Sequence, residues 1–220
     1  MSEHNSKRDF PVACVTGPMA AGKNLAASIM EKNGWACIDA DKIVHDALEQ
    51  IKPQVIELHS QAAKKMGINL LNADGSLNRR SVGKIVFNNA NALQAQESLV
   101  HPVVCQMLME FIDSHSEQPV AVNATVLYKT PQILNRCDFV LFVDCPCFIR
   151  FFRAKKRDKL SCPQILSRFQ AQRNIFAKYK KSNADIYKVW NIGFPYALER
   201  RIERMLLVWN RKELYGLSQQ

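Results

Sequence analysis

Short runs of uninterrupted apolar residues alternate along this chain with longer stretches in which apolar side chains return every three or four positions. VACVTG, residues 12–17, is a run of the first kind that stops on a glycine. LAASIMEKNG, residues 25–34, follows with Leu25, Ile29 and Met30 on one side and Gly34 as a stop. The pair predicts strand, loop and amphipathic helix. A second strand is expected over 35–41, WACIDAD, with two carboxylates at its C-terminal end, after which KIVHDALEQI resumes helical spacing. PVAVNA at 119–124 and FVLFVD at 139–144 predict two further strands, both uniformly apolar as fully buried parallel strands are. Helices are expected over about 54–66, 79–88, 91–114, 146–157, 162–181 and 195–213. The last has Leu198, Ile202, Met205, Leu206 and Trp209 on its inner face. Such alternation predicts an α/β fold with a central parallel sheet covered on both faces.

At 220 residues and 47% apolar, the chain can bury a full core, and its length allows one domain with an inserted or appended subdomain. No apolar run approaches the roughly 20 residues of a membrane span. The start, MSEHNSKRDF, is polar where a signal peptide needs an apolar centre, so a cytoplasmic protein with no membrane partner is expected. The seven cysteines include no CxxC pair, and Cys14, Cys37 and Cys145 sit inside apolar runs. They read as reduced, buried small hydrophobes. Cys145 and Cys147 stand too far from other Cys or His in the sequence for a zinc site. The net charge of +10 implies anionic company, either a polyanion or a small substrate carrying several phosphates. Helical segments are more basic after residue 149 than before it, so that half is expected to face the anion.

Candidate chemistry begins after the first strand. Gly17, Pro18, Met19, Ala20, Ala21, Gly22, Lys23 and Asn24 have the GxxxxGK spacing between a strand and a helix. Such a loop aims successive backbone N–H groups and a helix N-terminus at a phosphate, while its lysine reaches the β and γ oxygens. The usual next residue is Ser or Thr, whose hydroxyl ligates Mg²⁺; here Asn24 offers an amide oxygen as a candidate metal ligand. A plain strand-to-helix turn with a surface lysine is the alternative. Asp39 and Asp41 fall at the end of the next strand, where open α/β sheets place their ligand crevice. One carboxylate there can take a proton from an attacking hydroxyl, and the other can hold a metal-bound water or cap the following helix. Simple capping and turn roles for both are the alternative. Arg150, Arg153 and Arg157 recur at spacings of three and four, hence on one helix face. That stripe suits polyphosphate and the charge of phosphoryl transfer, or else is a solvated surface.

In this order the parts resemble the dephospho-coenzyme A kinases, P-loop relatives of the nucleoside monophosphate kinases. The resemblance runs over about 12–206 and includes IDAD (38–41), LLNADGSLNRRSVGKIVF (70–87), LVHPVV (99–104), LFVDCP (141–146), RAKKRDKLSCPQILSRFQAQ (153–172), and AD followed by NIG (184–185 and 191–193). NADGSLNRR and HP are its specific signals, since general P-loop kinases lack both. It implies a three-layer, parallel-sheet kinase core over about 10–50, 117–150 and 184–213, a helical substrate subdomain over about 51–116, and a helical lid over about 151–183. The implied reaction is ATP-dependent phosphorylation of the ribose 3′-hydroxyl of dephospho-coenzyme A, with Mg²⁺. By the same resemblance the P-loop and Leu25 bind ATP, with Asn191 and Gly193 near its adenine. Asp41 is the implied base, and Lys23, Arg153 and Arg157 act on the transferring phosphoryl group. Asp39, Asp41, His101 and Pro102 form part of the substrate side.

Departures accompany the resemblance. The family loop usually reads GGIGSGKS or GGIGSGKT, so Pro18, Ala20 and Asn24 replace two glycines and the metal-ligating hydroxyl. Pro18 also removes one N–H donor. In NATVLYK (123–129), Thr125 and Lys129 stand where the family carries Pro and Glu, and Trp190 replaces an acidic residue before NIG. Two other functions therefore stay open at this level: a relative that binds a nucleotide or coenzyme A derivative without turnover, and a basic nucleic-acid-binding protein. Arginines with aromatic neighbours (Phe151, Phe152, Tyr179) fit the latter loosely, and no RNA-binding or helix-turn-helix signature accompanies them. Nothing in the pattern sets an oligomeric state.

Overall fold

A computed structural model describes residues 8–214 apart from 88, 159 and 183, and of 195 and 211–214 the backbone alone. Most of the polar start and the expected helix end at 88 lie outside the described residues. In chain order the elements are β1 (Val12–Thr16), α1 (Lys23–Lys32), β2 (Ala36–Asp39), α2 (Ala40–Gln50), α3 (Lys52–Met66), α4 (Arg79–Phe87), α5 (Ala90–Ser114) and β3 (Val120–Asn123). A 3₁₀ turn (Leu127–Lys129) follows, then α6 (Pro131–Leu134), β4 (Phe139–Asp144), α7 (Cys147–Asp158), α8 (Cys162–Ala171), α9 (Ile175–Tyr179), β5 (Asp185–Trp190) and α10 (Pro195–Leu214). The chain forms two compact units, one holding the sheet with α1 and α6–α10, the other Asp39–Phe111.

The sheet runs in the order β2-β3-β1-β4-β5. Its inner strands pair in parallel, with Cys14 of β1 level with Val122 of β3 and Val140 of β4. β1 and β3 are buried along their whole length, which is why they read as unbroken apolar runs. On one face Ala13, Val15, Ile29, Met30, Phe139, Leu141, Leu198, Ile202 and Trp209 make a single core, and the expected inner face of the last helix is buried throughout. The Phe139 ring stands edge-on to Trp35 at 5.8 Å and leans on Trp209 at 5.1 Å. On the other face Phe142 meets Phe176 edge-on at 4.8 Å, and the fully buried Tyr179 lies beside Cys14. Helices thus cover both faces, and truncating a ring such as Phe139 would cost about 3–5 kcal/mol.

Two boundaries and one whole strand differ from the sequence reading. The second strand ends at Asp39, and Asp41 lies in the first turn of α2, because the Asp39 side chain accepts the Asp41 N–H at 3.0 Å and starts the helix there. The helix expected over 162–181 is two helices, since Gln172, Arg173 and Ile175 make tighter i to i−3 bonds between them. β5 carries no strand expectation at all. It lies at the sheet edge, where Asp185 and Lys188 interrupt the apolar run that marks the inner strands.

The unit Asp39–Phe111 is helical. Asp74 turns the chain between α3 and α4 by accepting both the N–H and the hydroxyl of Ser76, and these bonds hold its carboxyl below the usual range. Asn78 caps α4 by accepting the Ser81 N–H at 3.1 Å, and the Glu49 carboxylate accepts the Leu77 N–H at 2.9 Å. Those contacts explain why NADGSLN, a run with few apolar residues, takes one shape. Pro102 lies inside α5, where its missing N–H breaks the helix ladder.

Candidate active site

β1 lies between β3 and β4, so the loop leaving its C-terminal end opens where neighbouring connections diverge, the position at which open α/β sheets bind ligands. Gly17 makes the exit with φ +151°, and a Cβ there would stand 2.1 Å from the carbonyl oxygen of Val143. Only glycine passes. Pro18 O then accepts the Ala21 N–H at 3.1 Å, Ala20 takes a left-handed φ of 60°, and Gly22 caps α1 with φ 105°. Among the described residues no side chain caps α1, so its first turn presents backbone donors in the manner of an anion-binding helix end. Lys23 is the first residue of that helix and Leu25 lies beside it.

Residues from the basic half hold the loop. Gln172 accepts the Met19 N–H at 2.6 Å, and the buried Asn191 donates its amide to Ala21 O at 2.7 Å. Met19 and Ala20 pack with Ala154 and Ile165, and Phe151, Leu160 and Phe169 close around them. Between these walls lies a cavity of about 580 Å³ lined by Ala20, Gly22, Leu25, Arg153, Lys156, Arg157, Asn191 and Gly193. That volume lies in the ordinary range for small-molecule sites.

The three arginines of the expected stripe do different things. Arg150 donates to Cys145 O at 3.0 Å and lies over the Phe169 ring at 4.4 Å, so it fastens α7 to α8. Arg153 reaches Asn191 O at 3.4 Å from the cavity wall. Arg157 pairs with Asp158 through two bonds of 2.7 and 3.0 Å, and its positive charge helps hold that carboxyl below the usual range. Lys156, which the sequence reading passed over, completes the basic wall three residues after Arg153. Gln172 was equally absent from the expected set.

Asn24 is exposed in the first turn of α1, and its Oδ1 accepts the Nδ2 of Asn123 at 3.0 Å. Among the described residues no group of three or more His, Cys, Asp and Glu could hold a metal. A cation here would be carried by a nucleotide's phosphates with one or two protein oxygens, and neutral amide oxygens are suitable hard donors for Mg²⁺. At the family's Pro position, Thr125 O accepts both the Thr16 and Tyr179 hydroxyls, each at 3.3 Å. Trp190 lies under the ammonium of Lys188, at 4.4 Å from its ring, while Lys188 pairs with Asp144 at 2.7 Å.

The unit Asp39–Phe111 contains Asp39, Asp41, His101 and Pro102. Asp39 serves as the helix cap described above, and His101 and Pro102 sit mid-way along α5, His101 half-buried and Pro102 exposed. That unit also has a polar cavity of about 480 Å³ between His45, Asp46 and Glu49 of α2 and the segment from Asn72 to Arg80.

Residues 12–190 match the family CoaE: Dephospho-CoA kinase. The chain belongs to the dephospho-CoA kinase family. A dephospho-CoA kinase of Treponema pallidum (strain Nichols) is 34% identical to it over 90% of this chain and 96% of its own length. The solved structure of TT1252 from Thermus thermophilus is 25% identical and matches with a TM-score of 0.72, covering 96% of this chain and 99% of that one. A shikimate kinase from Bacteroides thetaiotaomicron, at 14% identity, a TM-score of 0.52 and coverage of 91% and 98%, shares the fold. As a dephospho-CoA kinase family member the chain is a nucleotide-dependent transferase on a P-loop kinase core, and among the described residues no helix is long and apolar enough to cross a membrane.

Proposed function

We propose that this protein transfers the γ-phosphoryl group of ATP to the ribose 3′-hydroxyl of dephospho-coenzyme A, yielding ADP and coenzyme A. The observation that carries the reading is the P-loop itself, braced at Met19 and Ala21 and opening on a cavity walled by Arg153, Lys156 and Arg157. In the reaction the bond from the γ-phosphorus to the β,γ-bridging oxygen breaks as a bond to O3′ forms. The hydroxyl proton passes to the Asp41 carboxylate. Lys23, Arg153 and Arg157 meet the negative charge that develops on the β and γ oxygens, where positioning and electrostatics do most of the catalytic work. Mg²⁺, held through Asn24, would supply further neutralisation of the same oxygens. Asn191 and Gly193 border the adenine, while Asp39, His101 and Pro102 belong to the substrate side. In the domain terms of the proposal, 51–116 receives dephospho-coenzyme A, 151–183 acts as the lid, and the reaction runs in the cytoplasm.

The test is purified protein with ATP, Mg²⁺ and dephospho-coenzyme A, read by mass for one added phosphate located at the 3′ position. Product is expected. Saturable nucleotide binding with no transfer at any Mg²⁺ or Mn²⁺ concentration would overturn the kinase assignment in favour of a binding protein without turnover.

A further inference from the structure

One buried side-chain oxygen stands at the end of β3, beside the P-loop strand. Asn123, the last residue of β3, is 5% exposed; its Nδ2 donates to Asn24 Oδ1, and its own Oδ1 has no hydrogen-bond partner among the described residues. Buried amide oxygens in native folds are generally met by a protein donor, water or ion, because leaving one unpaired forfeits its hydration with nothing in return. Asn24 is at the other end of the same pair, exposed and directly after Lys23. The two amides thus run from the buried strand end to the open mouth of the P-loop. A carbonyl oxygen has two lone pairs, so Asn24 Oδ1 can accept from Asn123 and still offer one outward.

We infer that Asn24 and Asn123 form a two-residue element for a divalent cation at the nucleotide site. Asn24 Oδ1 is the ligand, Asn123 Nδ2 fixes and polarises that carbonyl, and Asn123 Oδ1 accepts a hydrogen bond from a water of the cation's shell. The inference rests on the ATP-dependent reading above and adds a residue outside the loop. An amide at position 24 is longer than a serine or threonine hydroxyl and turns about one more bond, so it needs a partner to hold its oxygen in place. Asn123 is that partner. Both oxygens are neutral, which makes the site weaker than one with a carboxylate and leaves room to strengthen it by charge alone.

The test uses the full chain, Mn²⁺ as the probe cation and a non-hydrolysable ATP analogue. Free Mn²⁺ is followed by electron paramagnetic resonance, and affinity for the analogue in EDTA is measured separately. Asn123→Val should weaken Mn²⁺ binding in the nucleotide complex by about 5-fold or more, the scale of one lost hydrogen bond. Asn123→Ala, which removes both amide groups without β-branching, should do the same, and metal-free nucleotide affinity should stay unchanged in both. A pair that only packs the strand end would move neither Mn²⁺ affinity, and that result overturns the inference. Should Asn123→Val fail to fold, Asn123→Ala decides alone: unaltered Mn²⁺ affinity sinks the idea. A wild-type protein that binds the analogue neither with nor without Mn²⁺ overturns the ATP reading together with this one.

Discussion

The P-loop and the basic face of α7 both read as phosphate sites, yet the structure uses them differently. In the loop nearly every residue has one fixed duty, set by backbone geometry: Gly17 clears the Val143 carbonyl, Gly22 clears Asn191, and Met19 and Ala21 are held by side chains from elsewhere. On α7 the residues share a type and a spacing but not a task. Arg150 is committed to protein carbonyls and the Phe169 ring, Arg157 is paired with Asp158 at the cavity wall, and Arg153 and Lys156 line the same cavity. Backbone geometry constrains position by position, whereas a charge stripe constrains only a face. Loop residues should therefore fail individually, and stripe residues should fail in distinct ways.

The largest effect is expected at the loop. Lys23→Ala should abolish turnover and weaken ATP binding about 10-fold or more, since a charge-assisted contact to phosphate is worth about 1.5–3 kcal/mol. Calorimetric titration with ATP checks it. Unchanged affinity would mean that the loop does not grip the nucleotide, and the contrast with α7 would collapse.

Next come the arginines. Arg153→Ala should lower kcat by about 100-fold or more with little change in thermal stability, the scale seen when one preorganised donor to a developing charge is lost. Arg150→Ala should do the reverse, lowering the melting temperature because it frees Cys145 O and uncovers the Phe169 ring, with a smaller effect on kcat once folded. Steady-state kinetics and melting curves on the pair decide the matter. Equal profiles would show that the stripe acts as a unit after all.

That contrast also explains what was readable beforehand. β1, β3 and β4 were legible because both their faces are buried, and α10 because five apolar residues return at helical spacing. β5 was not, because an edge strand can carry Asp185 and Lys188 without exposing a core. Within the site, the Gly-rich spacing and Lys23 announced the loop, but Gln172 and Asn123 did not announce themselves. Each is an amide at the end of an otherwise ordinary helix or strand, and its importance comes from a residue 153 or 99 positions away. Lys156 was findable, since it lies three residues after Arg153. Asp39 shows the opposite limit: a carboxylate pair at a strand end allows both chemistry and capping, and only the Asp41 N–H bond reveals that Asp39 caps.

A third prediction separates the two regions by pH. Cys14 lies in β1, which carries the loop, and burial pushes its thiol up to about 12 from 9.0. With the folded pKa raised, the unfolded chain loses this proton first. The stabilisation is therefore fully present below pH 9 and is lost as pH rises towards 12, by on the order of 4 kcal/mol at the upper end. Urea midpoints between pH 8 and pH 11, a working range of about three pH units, should fall with pH in the wild type. The fall should be shallower in Cys14→Ala, and parallel slopes would place the alkaline loss elsewhere.

The smallest effect is expected where the two regions touch. Ala20 holds a left-handed φ of 60° in a position where the family usually has glycine, and its methyl, 8% exposed, packs with Met19, Ala154 and Ile165. Ala20→Gly removes a backbone penalty of about 1–2 kcal/mol. Against that stand about 0.4–1 kcal/mol for the more flexible unfolded chain and about 0.8 kcal/mol for the lost buried methyl. The opposing contributions nearly cancel, so stability should move by less than about 1 kcal/mol in either direction. Chemical unfolding of wild type and Ala20→Gly measures the difference directly. A gain beyond that limit would show that the left-handed turn is a strained remnant that the packing does not offset. A loss beyond it would make the Ala20 methyl the principal tie between the P-loop and the α7–α8 segment, and the loop's geometry a consequence of that packing.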